Sequence, residues 1–241
     1  MAGWGAAILA LAMALILWAP WRELGPLDGQ GRRLEFVERI VGRGSSGVEP
    51  STPLPMLVDL HGYGSMPEVH GRSWGELETV VRLIVPAGPD SALLGRSWFP
   101  LESETLGETI PRSTEQVTAL IEHLRATRPT IGKPLVTGYS QGGVLSFALA
   151  ARSPDSIGAA FPVAGWLPIE LIPAEASSDA VAVIAFHGAD DAPENCHEVV
   201  DAMVERGWSA EARVFPGVDH YDVAEMRSDL IAAVEASLRD R

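Results

Sequence analysis

The chain holds a single cysteine, Cys196, in 241 residues. One thiol excludes an intrachain disulfide and a Cys/His metal cluster. Basic residues are scarce too: 18 Lys and Arg stand against 32 Asp and Glu, a formal net charge of −14. A nucleic-acid binder neutralises phosphates with clustered cations, so the deficit argues against nucleic acid as a partner. The same charge is repelled by anionic lipid headgroups and reads as a solubilising surface. Internal repeats and low-complexity tracts are also lacking. Cys196 sits beside His197, but in a predicted helix with no glycine turn to expose it. It therefore reads as a buried thiol rather than a nucleophile.

The first 21 residues, MAGWGAAILALAMALILWAPW, lack charged side chains altogether. Trp4 and the pair Trp18 and Trp21 bracket an apolar run of about 17 residues, roughly 26 Å as a helix, close to the thickness of a bilayer core. Tryptophans at both ends suit interfacial anchors. The competing reading is a cleavable signal peptide, but a basic n-region is missing, and Pro20 and the tryptophans spoil a small-residue cleavage site. Residues 1–21 are expected to be a hydrophobic helix serving as a membrane anchor or signal segment. Arg22, Arg32 and Arg33 follow it and would hold that side in the cytoplasm. Export of the folded domain is the more familiar arrangement for such an N-terminus, so the expectation leans extracytoplasmic. Residues 22–33, rich in Gly and Pro, read as a linker to a domain over 34–241.

That domain alternates short apolar runs with amphipathic stretches. Strands are expected at 33–41, 56–60, 80–86, 134–140, 157–165, 181–188 and 210–217, and helices at 113–127, 141–152, 194–207 and 222–240. Residues 87–111 read as irregular. The alternation predicts an α/β fold: a mostly parallel sheet with helices on both faces. Functional residues in such folds gather where strands end and loops begin.

Within LVTGYSQGGVLSFALA (135–150), Ser140 stands between Gly138 and Gly142, at the junction of a strand and a helix. G-x-S-x-G in that context is a nucleophile elbow, whose tight turn lifts the hydroxyl above the sheet. A serine hydroxyl needs a base. In this arrangement the chain order is serine, acid, histidine. His61, His70 and His123 precede the serine. His187 lies in a strand end, and His197 on a helix leaves little room for an intervening acid. His220, in the loop FPGVDHYD, is the base that fits. The acid comes from FHGADDAPE: Asp191 is favoured by spacing, with Asp190 the alternative. Asp219 adjoins His220 in sequence and reads as a solvated loop residue. LHGYGS (60–65) is a glycine-rich turn able to aim a backbone N–H at an oxyanion, giving the amides of Tyr63 and Gln141 as expected donors.

These motifs resemble the phospholipase/carboxylesterase family of α/β-hydrolases, which includes the acyl-protein thioesterases. LHGYG and GYSQGG are similar to the family's LHGxG and GFSQGG. GRSWFP (95–100) resembles its SWF loop, and AGWLPIELIP (164–173) its WLP segment. FHGADD resembles HGxxD, which supports Asp191, and GVDH its histidine loop. The resemblance spans about residues 54–238. It implies cleavage of acyl esters or thioesters without metal or cofactor, with Trp98, Phe99, Trp166 and Leu167 bordering the substrate. From the residues alone, the alternative is that those four are core beneath a long loop. The expected activity is that of a serine esterase using Ser140, His220 and Asp191 through an acyl-enzyme. The alternatives are an acyltransferase or peptidase with the same triad, or a non-catalytic binding module on this fold.

Overall fold

The computed structural model describes residues 22–27, 32–101 and 103–239. The expected hydrophobic helix at 1–21 lies outside them. Among the described residues, no helix is long and apolar enough to cross a membrane.

Among the described residues, eight strands form one sheet: β1 (Glu23–Leu27), β2 (Arg33–Val41), β3 (Leu54–Leu60), β4 (Val81–Pro86), β7 (Thr130–Tyr139), β8 (Ala159–Val163), β9 (Ala182–Gly188) and β10 (Ala210–Phe215). Their spatial order is β1-β2-β4-β3-β7-β8-β9-β10, and β5 (Asp90–Ala92) with β6 (Gly95–Ser97) makes a separate hairpin. Only β2 runs against its neighbours in the large sheet; β4 to β10 pair in parallel. Parallel strands buried on both faces need apolar residues at nearly every position, and β4 is buried throughout its length.

Side-chain alternation divides the core between the two faces. Met56, Val58 and Leu60 of β3 join the layer covered by α1 (Leu106–Thr127), α2 (Gln141–Arg152) and α3 (Pro193–Glu205). Leu57, on the opposite face, joins the layer covered by a short 3₁₀ turn (Arg72–Glu76) and α4 (Arg227–Arg239). Cys196 is buried in the first layer, as expected, and burial pushes its thiol up to about 12.

Two expectations need correction. The stretch 22–33 is not simply a linker, because Glu23–Leu27 adds an edge strand antiparallel to β2. Charged groups fasten this edge: Arg22 pairs with Glu35 and Glu68, and Arg128 bridges Glu23 and Glu38. Glu38 also pairs with the fully buried Arg82, whose guanidinium donates to Pro50 O at 2.7 Å. The second correction concerns α1, which begins at Leu106 and carries Pro111 inside it. Pro111 is the sixth residue of this helix, so it forgoes the hydrogen bond its N–H would make to Gly107 O. Burial of Leu106 and Ile110 holds these extra residues against the core.

Candidate active site

Ser140 caps α2 directly after β7, with φ 56° and ψ −114°, a conformation that strains a side-chain-bearing residue. Its N–H donates to Val163 O at 2.9 Å, and its carbonyl accepts from Val144 N at 2.9 Å, so the turn is held from both sides. The glycines permit close approach. A Cβ on Gly142 would lie inside hard contact with the carbonyl oxygen of Leu60, and one on Gly138 would meet the Leu60 Cβ at 2.8 Å. The ends of β3 and β7 and the start of α2 therefore converge on one point. The N-terminus of α2 adds its partial positive charge there.

His220 lies in the loop after β10. Its Nδ1 is 2.7 Å from Asp191 Oδ2 and its Nε2 is 3.0 Å from Ser140 Oγ. Asp190 is exposed and does not join this contact. Asp219 instead accepts from the N–H groups of Tyr221 and Asp222, at 2.7 and 3.1 Å, which shapes the histidine loop. Tyr139, the residue before the serine, donates its hydroxyl to His220 O at 2.8 Å and packs its ring 5.2 Å from the imidazole. Burial and the nearby negative charges push that phenol up to about 12, so it remains a donor. His187, expected to pack in the strand end, is buried there. Its Nε2 lies 2.6 Å from Asp191 O, where it donates and fixes the backbone of the acid.

The Gly62–Tyr63 turn borders the serine: a Cβ on Gly62 would come within 3.4 Å of Ser140 Cβ. Gln141 is buried, and its side chain is engaged on every side. Its Oε1 accepts from Ser97 Oγ and Trp98 N, each at 3.1 Å, and its Nε2 donates to Phe99 O at 2.7 Å.

A pocket of about 220 Å³ opens over Ser140 and His220. Phe99 lines it, as does Trp166, which remains 38% exposed. Trp98 and Leu167 do not line it. They are 0% and 2% exposed and form core beneath the site, which corrects their expected place at the substrate. Leu101, Leu106, Val144 and Asn195 line it instead. Two further residues on its wall, Ala164 and Ala192, have positive φ, at 48° and 44°. None of these residues carries a nucleophile, base or acid, so the sequence alone does not mark them. A larger cavity of about 510 Å³ sits on the other face of the sheet, between the 3₁₀ turn and α4, and does not include Ser140. Among the described residues, no cluster of three or more metal-ligating side chains occurs.

The parallel sheet with its one reversed strand, and the strained serine between β7 and α2, belong to the α/β-hydrolase class. Within that class, the model of the phospholipase/carboxylesterase family matches residues 48–236, and the chain belongs to that family. Carboxylesterase SOBER1 of Arabidopsis thaliana is 27% identical over 150 residues, 56% of this chain and 65% of that protein. The matched part thus spans just under two thirds of that relative. A probable carboxylesterase of Oryza sativa subsp. japonica is 24% identical over 215 residues, 78% of this chain and 72% of that protein. The crystal structure of esterase PE8 shares the fold, with a TM-score of 0.66 at 20% identity over 86% of this chain and 98% of that one.

Proposed function

We propose that this protein cleaves carboxylic esters of short acyl chains, with Ser140 as nucleophile, His220 as general base and Asp191 as the acid that orients it. The observation that carries the reading is the continuous contact from Asp191 Oδ2 through His220 to Ser140 Oγ, at 2.7 and 3.0 Å. With Asp191 accepting the proton on Nδ1, the other ring nitrogen is left as the acceptor facing the hydroxyl. Ser140 Oγ attacks the acyl carbonyl while its proton passes to His220 Nε2. The oxyanion accepts hydrogen bonds from the Tyr63 and Gln141 amides. Collapse expels the alcohol, which takes the proton from Nε2. Water, deprotonated by the same nitrogen, then releases the acid and restores Ser140.

A pocket of about 220 Å³ is smaller than the roughly 300–1,000 Å³ typical of sites for drug-sized ligands. That small volume favours a short acyl group over a long chain, with Phe99, Leu101, Leu106 and Val144 as its apolar contacts. Residues 1–21 are read as an anchor holding this domain at a membrane, a reading supported by their lack of charge.

The test is a series of p-nitrophenyl esters from acetate to palmitate with the full-length protein. Turnover is expected to fall steeply beyond medium chain lengths, and His220→Ala is expected to reduce kcat by about 10³-fold or more. Undiminished turnover in the His220 variant refutes the mechanism, and a preference for palmitate refutes the short-acyl assignment.

A further inference from the structure

Three residues outside the Ser140–His220–Asp191 chain form one connected network around the expected oxyanion donors. We infer that His61, Trp98 and the side chain of Gln141 act as a single clamp that fixes both donor peptides, with His61 as the positioning residue for the Tyr63 amide. The inference rests on the ester-hydrolysis reading above.

The wiring of His61 carries it. Gly88 N–H donates to His61 Nε2 at 2.9 Å, so that nitrogen is an acceptor and bears no proton. The proton therefore sits on Nδ1, which lies 2.7 Å from Gly62 O and donates to it. Gly62 O and Tyr63 N–H belong to the same planar, trans peptide unit, in which carbonyl and N–H point in opposite directions. Holding Gly62 O against the buried imidazole thus turns Tyr63 N–H away from His61. The preceding carbonyl, His61 O, accepts from Trp98 Nε1 at 2.9 Å, so two successive peptides of the turn are pinned.

The same indole ring stacks on the His61 imidazole, with centroids 5.0 Å apart. The backbone around Trp98 reaches the second donor: Trp98 N and Ser97 Oγ both donate to Gln141 Oε1, and Phe99 O accepts from Gln141 Nε2. Ser113 of α1 in turn donates to Trp98 O at 2.7 Å, which ties the loop to a rigid helix. The Ser97–Phe99 loop therefore joins two donor peptides that are far apart in sequence. Preorganised donors act because they need no rearrangement when charge develops, and this network supplies that rigidity. Burial lowers the His61 pKa to about 4, so the required neutral tautomer persists in the working pH range.

Two substitutions at His61 separate positioning from packing. Asparagine places an amide near the Nδ1 position and can still donate to Gly62 O. Glutamine places its amide near Nε2 and can serve Gly88 but not Gly62. With a short p-nitrophenyl ester and the full-length protein, His61→Gln is expected to lower kcat about 100-fold with KM within about twofold, and His61→Asn to stay within about tenfold of wild type. Affinity for a boronic acid, whose tetrahedral adduct on Ser140 mimics the oxyanion, is expected to fall in step with kcat. Trp98→Phe keeps the stacked ring and deletes the indole N–H, and its kcat is expected to drop about tenfold at unchanged KM. It decides the matter should the His61 variants not fold. A His61→Gln enzyme with wild-type kcat, an Asn variant as slow as the Gln variant, or a folded Trp98→Phe enzyme with unchanged kcat overturns the clamp alone. Absence of Ser140-dependent turnover in the wild type overturns the clamp together with the reading beneath it.

Discussion

Replacing His61 by Asn is expected to change how stability depends on pH as well as how fast the site works. The imidazole is fully buried, and burial lowers its pKa from the ordinary 6.5 to about 4. In the unfolded chain it regains the ordinary value. Between about pH 6.5 and 4 the unfolded state therefore binds a proton that the folded state refuses, and stability falls as pH drops through that window. Each pH unit of difference corresponds to about 1.4 kcal/mol, so the full window amounts to about 3 kcal/mol, of which about 2 kcal/mol is lost by pH 5. His61→Asn removes this titration. Nearby His70 has the opposite sign: burial lowers its pKa, but the charge of Asp59 and the hydrogen bond at 2.9 Å outweigh that and raise it. It is common to both proteins and largely drops out of the comparison. The assay is urea unfolding of both full-length proteins at pH 7, 6 and 5, followed by tryptophan fluorescence. The wild-type advantage over the variant is expected to shrink by about 2 kcal/mol from pH 7 to 5. A difference that stays flat over that range refutes the neutral, buried imidazole on which the clamp depends.

Other parts of the molecule are equally open to test. Glu38→Ala leaves the guanidinium of the fully buried Arg82 without its carboxylate, and is expected to destabilise the protein by about 3–5 kcal/mol in urea unfolding; a loss below about 1 kcal/mol contradicts the pairing. Gly142→Ala drives a methyl group into the Leu60 carbonyl, and is expected to abolish esterase activity and to lower the melting temperature, because backbone on both sides leaves no room to relax. A fully active variant refutes the packing of the serine turn. Cys196 is buried and burial pushes its thiol up to about 12, so the native protein is expected not to react with a disulfide reagent until it is unfolded. Rapid labelling of the folded chain contradicts that placement.

The parallel sheet could be read from the sequence because its strands are buried on both sides, which forces short apolar runs between amphipathic helices. Of the strands expected for the large sheet, each appears close to its predicted position. The edge strand Glu23–Leu27 escaped for a physical reason. It contains Gly25 and Pro26, is half exposed, and is held by pairing with β2 and by ion pairs of Glu23 with Arg128 and of Arg22 with Glu35 that only the folded chain brings together. The start of α1 escaped because Pro111 suggests a boundary, while the burial of Leu106 and Ile110 that overrides it is tertiary.

Chain order singled out Ser140, Asp191 and His220, and the fold brings those side chains into one hydrogen-bonded line. The layer around them was less legible. Trp98 and Leu167 are apolar residues in loops, and sequence does not distinguish a pocket wall from the layer just beneath it. His61 precedes the serine, and chain order excludes it as the base without saying anything of a histidine that holds the Gly62–Tyr63 turn. Its position next to Gly62 and Tyr63 was the available signal.

Peptide mapping of the folded, full-length protein after reaction with a fluorophosphonate tests the central claim most directly, because the reagent records which side chain is activated as a nucleophile. The account predicts one adduct on the peptide carrying Ser140, formed slowly or not at all in His220→Ala. An adduct at any other residue, or a folded wild type whose Ser140 stays unmodified, contradicts it.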